Sequence, residues 1–375
     1  MRIHRRSRQA FLAGAALAAT LGRASDGDFP NVKFSGFASI VGGKIANSPP
    51  LGFSPDPGTA PPIYIADWSN WGVYTNSFSF KPESRGGVQA VVGFTEDLKF
   101  TGQAVIRATD TTPALTWAFL SYNLSQDWEI QLGRKRIPLY YYSDFQDVGY
   151  AYPWVSPPPE VYGWEATNFN GASLRHKATV SGASVTASLF GGKETVNESR
   201  YMLSSGQSKT DVTWDHILGG DLEINKGWLA LRGVYIQADP KFVDRLDASL
   251  DSNSKMKAFG LAANADFGEF FILSEFGQNT RTYPDGTETK APCYTFGAGY
   301  RLGKWTPFLN FAQYREITDV LGYSPVNYKR GALTLRYDLS SNTALKVQLD
   351  RYLEFNGTAY TTDSTIFRVA FDVVF

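Results

Sequence analysis

Charged side chains of both signs are the residues of this sequence best suited to act on a dissolved molecule. Carboxylates are grouped in one segment, residues 138–170, as Asp144, Asp147, Glu160 and Glu165. Basic side chains are spread over other segments, as Lys99, Arg107, Arg330, Arg336 and Arg368. Facing rows of opposite charge create a transverse field that orients dipolar molecules and filters ions by charge. The same charges could instead pair locally and hold the segment in place, and for any single residue both interpretations stay open.

The segment 138–170 is also rich in aromatic residues. Tyr150, Tyr152 and Trp154 follow a run of three tyrosines, and such rings could form a stacking path for a ligand or pack the segment against its surroundings. We expect packing for most of them. Three consecutive prolines at 157–159 stiffen the chain, because each proline fixes its own φ angle. This predicts a fixed segment rather than a moving gate.

Residues for catalysis or metal binding are few. Beyond the first 24 residues the histidines are His176 and His216, and neither belongs to a recognisable catalytic motif. A nucleophilic enzyme needs a nucleophile next to a base. Cys293 is the only cysteine, which excludes an intramolecular disulfide and a cysteine-based metal site. We therefore expect no catalytic residue, no metal and no cofactor.

The segments that carry the basic residues alternate in polarity. At the end of the chain, the odd-numbered positions from Phe367 to Phe375 are apolar, whereas Arg368 and Asp372 occupy even-numbered positions. A β-strand directs successive side chains to opposite faces, so this strand has one apolar face and one polar face. A charge facing lipid at the middle of a bilayer costs about 2–4 kcal/mol. The sorting of charges therefore predicts a barrel with an apolar exterior and a polar interior.

Alternating segments of this kind recur about sixteen times, which predicts an all-β fold with an even number of antiparallel strands. They lie at 32–45, 87–95, 99–107, 114–123, 129–137, 171–180, 185–193, 216–225, 229–237, 256–266, 270–280, 294–302, 306–316, 328–338, 344–353 and 365–375. The 15% content of aromatic residues and the 35 glycines suit strands, tight turns and aromatic girdles.

The connections between these segments alternate between short and long. The long ones are 46–84, 109–113, 138–170, 194–215, 238–255, 281–291, 317–327 and 354–364. Transmembrane barrels have short periplasmic turns and long extracellular loops, which predicts that both ends of residues 25–375 lie in the periplasm. A soluble sandwich of two sheets has no reason to segregate its loops in this way.

The first 24 residues have the pattern of a secretory signal peptide of the general Sec type. A basic stretch that includes Arg5 and Arg6 precedes an apolar run at 10–21, and Gly22 and Ala24 supply the small residues that cleavage needs. The apolar run is too short to span a bilayer. Acidic and basic residues both number 36, so the net charge gives no argument for a nucleic-acid partner.

Three motifs surround the segment after the fifth predicted strand: GRKRIP at 133–138, DVGYAYPW at 147–154 and PPEVY at 158–162. Together they resemble the constriction segment of a proteobacterial porin family, and the strand layout resembles the general bacterial porins over residues 25–375. The resemblance implies that 138–170 is a third loop that folds inward and narrows a water-filled channel. It also implies an outer-membrane homotrimer, and Phe375 resembles the terminal aromatic residue that the barrel-assembly machinery recognises.

The expected function is passive diffusion of small hydrophilic solutes and ions, with a weak preference for cations because the third loop is acidic. The main alternative is a channel specific for phosphate, a sugar or another small solute, although phosphate would need a basic constriction. A barrel enzyme of the outer membrane is a minor alternative. An energy-coupled receptor would need a plug domain before the first strand, and we expect none there.

Overall fold

Long antiparallel strands, sixteen within the described ranges, make up most of the chain. The computed structural model describes residues 29–47, 63–205, 209–356 and 359–375, so the predicted signal peptide, 1–24, lies outside the described residues. The strands are β1 (Asn31–Asn47), β2 (Arg85–Gly93), β3 (Leu98–Arg107), β4 (Ala114–Asn123), β5 (Trp128–Arg136), β6 (Asn168–Val180), β7 (Ala183–Val196), β8 (Thr210–Lys226), β9 (Leu229–Asp244), β10 (Lys255–Asp266), β11 (Phe270–Thr282), β12 (Glu288–Tyr300), β13 (Trp305–Arg315), β14 (Val326–Asp338), β15 (Thr343–Asn356) and β16 (Ala359–Val374).

The sheet closes into a barrel because its first strand pairs with its last. β1 pairs with β16 along one edge and with β2 along the other. Phe375 continues the seam: its N–H donates to the carbonyl of Gly36 at 2.9 Å, and its carbonyl accepts from the N–H of Gly36 at 2.7 Å. All other long strands pair with their neighbours in chain order. The prediction of a sixteen-stranded antiparallel barrel is confirmed.

The predicted strand boundaries are accurate at the short turns and fall short at the long loops. β8 begins at residue 210 rather than 216, and β9 ends at 244 rather than 237. β6 begins at Asn168, so the third loop spans 137–167 and not 138–170. Strands that extend beyond the hydrocarbon layer meet water on both faces. These strand ends therefore lack the alternation of apolar and polar residues that predicts a strand, although their backbones remain hydrogen-bonded to the neighbouring strands.

The outer face of the sheet is apolar. Val88, Leu189 and Leu309 point away from the lumen and keep 60%, 66% and 62% of their surface exposed. Exposed tryptophans follow three of the short turns, at Trp128, Trp228 and Trp305. Amphipathic aromatic rings prefer the level of the lipid headgroups. An apolar band with aromatic rings at its edge is the exterior that a transmembrane barrel requires.

The connection from β5 to β6, residues 137–167, folds into the lumen and is called loop 3 below. It contains two 3-10 turns, Ser143–Phe145 and Gly149–Ala151, and a short helix, Pro159–Tyr162. This confirms the inward-folded third loop. Across the described part of the chain, every helix is too short or too polar to cross a membrane.

The connection from β1 to β2, called loop 1, also enters the lumen. Its described part holds a small hairpin of Tyr64–Asp67 and Gly72–Tyr74. The hydroxyl of Ser69, at the tip of this hairpin, donates to the carbonyl of Trp164 at 2.8 Å and accepts from the N–H of Trp164 at 3.1 Å. The hairpin therefore sits directly on loop 3.

Candidate functional site

Loop 3 approaches the barrel wall so closely that glycine is required at two of the contacts. A Cβ atom at Gly149 of loop 3 would lie 2.1 Å from the Asp372 carboxylate, and one at Gly277 of β11 would lie 2.7 Å from the ring of Tyr140. Glycine has no Cβ atom, so it allows one backbone to come this near to a side chain. The loop is therefore seated against opposite parts of the wall at the same time.

Aromatic side chains of loop 3 pack into an apolar cluster with β8–β13. Tyr142, Tyr152 and Trp154 are almost fully buried there, and the ring of Trp154 lies 5.2 Å from that of Phe308. Burial raises the pKa of the Tyr152 hydroxyl, so it stays neutral. Burying one large apolar side chain stabilises a structure by about 1.5–3 kcal/mol. These rings hold the loop in place and offer little surface to a solute.

Asp147 of loop 3 lies among three arginines of the wall. Its carboxylate accepts from Arg107 at 2.7 Å and also pairs with Arg136, while Arg85 donates to its backbone carbonyl at 2.8 Å. Burial alone would raise the pKa of Asp147, but the positive charges of Arg107, Arg136 and Arg85 outweigh it and lower the pKa to about 2. Asp147 is therefore ionised at neutral pH and ties loop 3 to β2, β3 and β5.

A second group of charges, called the ion-pair lock, joins β14, β15 and β16 to loops 1 and 3. It consists of Glu83, Glu160, Arg330, Asp350 and Arg368. Arg330 donates to Glu160 at 3.1 Å and to Asp350 at 2.7 Å. Arg368 donates to Asp350 and to Glu83, both at 2.9 Å. All five side chains are at most 1% exposed, so each charge has a partner of opposite sign in place of water.

Two further cations of the wall bind the backbone of loop 3. The ammonium group of Lys346 donates to the carbonyls of Gly149 at 2.6 Å and Trp154 at 2.8 Å. The guanidinium of Arg336 donates to the carbonyl of Tyr150 at 2.8 Å and lies 4.6 Å from its ring centroid. These hydrogen bonds satisfy backbone carbonyls of loop 3 that have no partner in a helix or a sheet. The loop thus has a defined position on the β14–β16 side of the lumen.

A different arrangement, called the polar lane, lies between loop 3 and the wall of β5–β9. It surrounds a cavity of about 70 Å³. Its polar lining side chains are Gln131, Lys135, Arg136, Asp144, Ser173, Arg175, Thr186, Ser188, Asp221, Glu223 and Arg232, of which Arg136 is paired with Asp147. Lys135, Arg175, Asp144, Asp221 and Glu223 are all partly exposed. Arg232 and Asp221 approach to 3.6 Å. Charges of both signs therefore line this lane without being sealed from water.

A larger cavity of about 440 Å³, called the vestibule cavity, lies on the long-loop side of loop 3. Nine of its lining residues are aromatic: Trp68, Tyr140, Trp164, Tyr201, Phe242, Tyr283, Tyr314, Tyr323 and Tyr328. Its charged side chains are Glu160, Glu165, Arg281 and Glu316. Glu165 and Arg281 pair with each other at 2.5 Å.

The structure brings most of the predicted charged residues to loop 3. Arg107, Arg330, Arg336 and Arg368 all contact it, as described above, and Asp147, Glu160 and Glu165 each pair with an arginine. Asp144 lies in the polar lane. Lys99 stands apart: it is exposed at the short-turn end of β3 and forms no ion pair within the described residues.

Several residues of the site were not predicted, among them Glu83, Arg85, Asp350, Lys346 and Glu275. Glu275 accepts from the hydroxyl of Tyr162 at 2.5 Å and from the N–H of Tyr141 at 2.8 Å, both in loop 3. Two of them could have been identified from the sequence. Lys346 and Asp350 lie on the inward-facing positions of one strand, and the same alternation identified Arg368 on the next strand. Glu83 lies in a loop, where no periodicity marks it.

The histidines do not form a catalytic arrangement among the described residues. His216 is 82% exposed, and its ring nitrogen lies 2.9 Å from the carboxylate of Asp239. His176 stacks on Trp128 on the outer face, with ring centroids 4.3 Å apart. In the described ranges, neither histidine hydrogen-bonds to a serine, threonine or cysteine, and no group of three His, Cys, Asp or Glu side chains could hold a metal ion.

Comparison with known proteins identifies the type of fold. No family model matches the sequence, and no curated protein matches it. Solved structures do match. The outer membrane channel DcaP of Acinetobacter baumannii superimposes with a TM-score of 0.62 at 12% identity, over 96% of this chain and 100% of that chain. For the anion-selective porin from Comamonas acidovorans the TM-score is 0.60 at 15% identity, over 92% of this chain and 99% of that chain.

A third match is the trimer form of OmpT, an outer membrane protein of Vibrio cholerae, with a TM-score of 0.57 at 10% identity over 93% of this chain and 100% of that chain. At such identities the likeness concerns the course of the backbone and not the residues of a site. The chain therefore has the fold of the bacterial outer-membrane porins.

Proposed function

We propose that this chain forms a water-filled channel in a bacterial outer membrane, through which small hydrophilic solutes and ions diffuse passively. The observation that carries the proposal is the polar lane. Five of its charged side chains, Lys135, Asp144, Arg175, Asp221 and Glu223, are partly exposed, and an unpaired charge is costly unless water reaches it. Such a lane suits the passage of a hydrophilic solute, because the polar groups along it replace part of the solute's hydration shell.

The size of the barrel and the position of loop 3 support small solutes. A barrel of sixteen strands would leave a wide aqueous channel. Loop 3 fills the side of β8–β16 with apolar contacts and ion pairs, and it leaves the side of β5–β9 lined by polar groups. The remaining path is narrow and asymmetric, which suits ions and small hydrophilic molecules better than oligomers.

We further propose a weak preference for cations. Three of the four loop 3 carboxylates are neutralised by arginines, which leaves Asp144 without an arginine or lysine partner among the described residues. In the polar lane, Asp144, Asp221 and Glu223 balance Lys135, Arg175 and Arg232. In the vestibule cavity Glu316 adds a negative charge. The balance is therefore slightly negative along the path.

Recordings in planar lipid bilayers under a KCl gradient test this proposal. We expect stepwise conductance and a reversal potential of cation-selective sign. Two unit charges 7 Å apart interact by about 0.6 kcal/mol in water, which changes an ion's local concentration about two- to threefold. Arg175→Gln should raise the cation-to-anion permeability ratio by about that factor, and Asp221→Asn should lower it.

Lys257→Gln is the matched control, because Lys257 is exposed on β10 between the inward-facing Met256 and Ala258. Removing its charge from the outer face should leave the reversal potential unchanged. A wild-type reversal potential of anion-selective sign contradicts the cation preference. Absence of conductance from a correctly folded barrel contradicts the channel itself.

A channel specific for one small solute is the second candidate, and the vestibule cavity favours it. Nine aromatic residues around one cavity are more than a simple diffusion path requires. Phosphate fits poorly, because Arg330 and Arg368 are occupied by carboxylates and Arg336 by a carbonyl. Concentration-dependent block of the KCl current by one solute and not by others of its size would favour this alternative.

The remaining parts of the proposal concern export and assembly. Residues 1–24 would direct the chain to the Sec pathway, and the apolar exterior would contact outer-membrane lipid. Phe375, exposed at the closing seam, would be recognised by the barrel-assembly machinery. A homotrimer is supported by the trimer form of the Vibrio cholerae protein. We propose no enzymatic activity, no cofactor and no nucleic-acid partner.

A further inference from the structure

Aromatic rings in the wall of the vestibule cavity form a continuous stack across three strands. Tyr314 of β13 stacks on Tyr328 of β14 with ring centroids 5.7 Å apart, and Tyr328 stacks on Tyr352 of β15 at 5.9 Å. Trp68 of loop 1 lies 5.4 Å from Tyr328 and 6.2 Å from Tyr201. The faces of such rings carry partial negative charge, which attracts cations.

Glu316 places a carboxylate among these rings. It accepts hydrogen bonds from the hydroxyl of Tyr314 at 2.9 Å, from the hydroxyl of Tyr323 at 2.7 Å and from the N–H of Val326 at 3.2 Å. All three donors are neutral groups. Among the described residues, no arginine or lysine pairs with Glu316. Its position is thus fixed by neighbours that leave its charge uncompensated.

The other charges of the cavity are compensated. Glu165 pairs with Arg281 at 2.5 Å, and Glu160 pairs with Arg330 of the ion-pair lock at 3.1 Å. Arg281 is also placed over the ring of Phe242, 5.2 Å from its centroid. Glu316 is therefore the carboxylate in the wall of the cavity that has no basic partner among the described residues.

We propose that the vestibule cavity binds small organic cations, in particular quaternary ammonium compounds, between the carboxylate of Glu316 and the faces of the surrounding rings. Rings and carboxylate act together, since a weakly hydrated cation exchanges water for aromatic faces at little cost while the carboxylate compensates its charge. A cavity of about 440 Å³ accommodates one such ion. This inference deepens the proposed channel function, because it names a solute class for the mouth of the channel.

Titration calorimetry on the purified, detergent-solubilised barrel tests the inference without any current. The probe is choline, and its neutral counterpart is 3,3-dimethylbutan-1-ol, which has the same shape with carbon in place of the charged nitrogen. We expect choline to bind at least about tenfold more tightly, a difference typical of one ion pair combined with cation–π contacts. Equal binding of the two compounds, or binding of neither, overturns the proposal.

Glu316→Gln removes the charge and keeps one acceptor oxygen for the Tyr323 hydroxyl and the Val326 N–H, while its NH2 group can donate to the hydroxyl oxygen of Tyr314. Choline should then bind about tenfold more weakly while binding of the alcohol is unaffected. The matched control is Glu96→Gln, because Glu96 is an exposed carboxylate in a short turn at the opposite end of the barrel. It should bind choline like the wild type. Unchanged choline binding by Glu316→Gln overturns the role of Glu316.

Trp68→Leu and Trp68→Phe test the aromatic wall in the same way. We expect weaker choline binding with leucine, which removes the ring, and nearly normal binding with phenylalanine, which keeps one. Equal losses in both variants overturn the cation–π contribution of Trp68. The channel proposal is judged separately by conductance: a barrel that binds choline but conducts no ions refutes the channel and leaves the binding site standing.

Discussion

The ion-pair lock and the polar lane use the same residue types in the same lumen and differ in their access to water. In the lock, Arg330 and Arg368 have 0% exposed side chains and are each bound to two carboxylates. In the lane, Lys135, Arg175 and Asp144 are partly exposed, and they are not part of any ion pair in the described portion of the chain. Residue type therefore does not decide which charges could line a path and which hold loop 3.

Desolvation explains why the two regions must behave differently. Burying a charge costs several kcal/mol, which is recovered when its partners are well placed and satisfy its remaining hydrogen bonds. Asp350 meets this condition, because it accepts from Arg330, Arg368 and Gln348. Removing one member of such a group leaves the others buried without compensation. A charge of the lane loses far less, since water remains as its partner.

Arg368→Met should therefore have the largest effect on stability. It leaves Glu83 without a cation and Asp350 with one instead of two. We expect the free energy of unfolding to fall by about 3–5 kcal/mol, the usual cost of breaking a buried pair. Unfolding in guanidinium, followed by the gel mobility shift of folded barrels, measures it.

Arg175→Met is the matched control in the lane, because it makes the same chemical change at a partly exposed position of β6. It should lower the free energy of unfolding by less than about 1 kcal/mol. Losses of similar size in the two variants would contradict the distinction between lock and lane.

The fold could be predicted from the sequence because lipid imposes alternation on every membrane-level strand. The fourth strand was predicted at 114–123 and found there, and the closure of the last strand on the first followed from the count. The extensions of β8 and β9 beyond the membrane could not be predicted, since both of their faces meet water and the alternation fades.

The site was predictable only in part. Inward parity and the motif of loop 3 identified Arg330, Arg368 and Glu160, which do meet in the lumen. Of their pairing partners, Asp350 has the same inward parity on a neighbouring strand and could have been identified, whereas Glu83 lies in a loop that no periodicity marks. Apart from Asp144, the charges of the lane were not predicted as site residues, because they come from four strands that are separated in sequence.

Asp147 should make the attachment of loop 3 sensitive to pH below 4. Its pKa of about 2 lies below the ordinary value of 3.8, so its contribution to stability is complete above pH 4 and is lost as the pH falls towards 2. That shift corresponds to about 2 kcal/mol. The difference in free energy of unfolding between wild type and Asp147→Asn should shrink over this interval.

Asp144→Asn is the control, because Asp144 lies three residues earlier in loop 3 and belongs to the lane. Its difference from the wild type should be small, because a partly exposed charge keeps water as a partner. If Asp147→Asn still lowers the free energy of unfolding at pH 2, the arginines around residue 147, and not the negative charge of Asp147, hold the loop.

The smallest effect is expected at an exposed ion pair on two of the three strands that carry the lock. Arg351 of β15 pairs with Asp363 of β16 at 2.9 Å, and the Arg351 side chain is 69% exposed. A double-mutant cycle with Arg351→Met and Asp363→Asn should give a coupling energy of about 0.2–1 kcal/mol. The cycle for Arg368 and Asp350 should give a larger value. Both pairs join an arginine to an aspartate across one strand pairing, and they differ in burial and in the further partners that the lock supplies. Equal coupling energies would mean that water reaches the lock and that Arg368 could line a path after all.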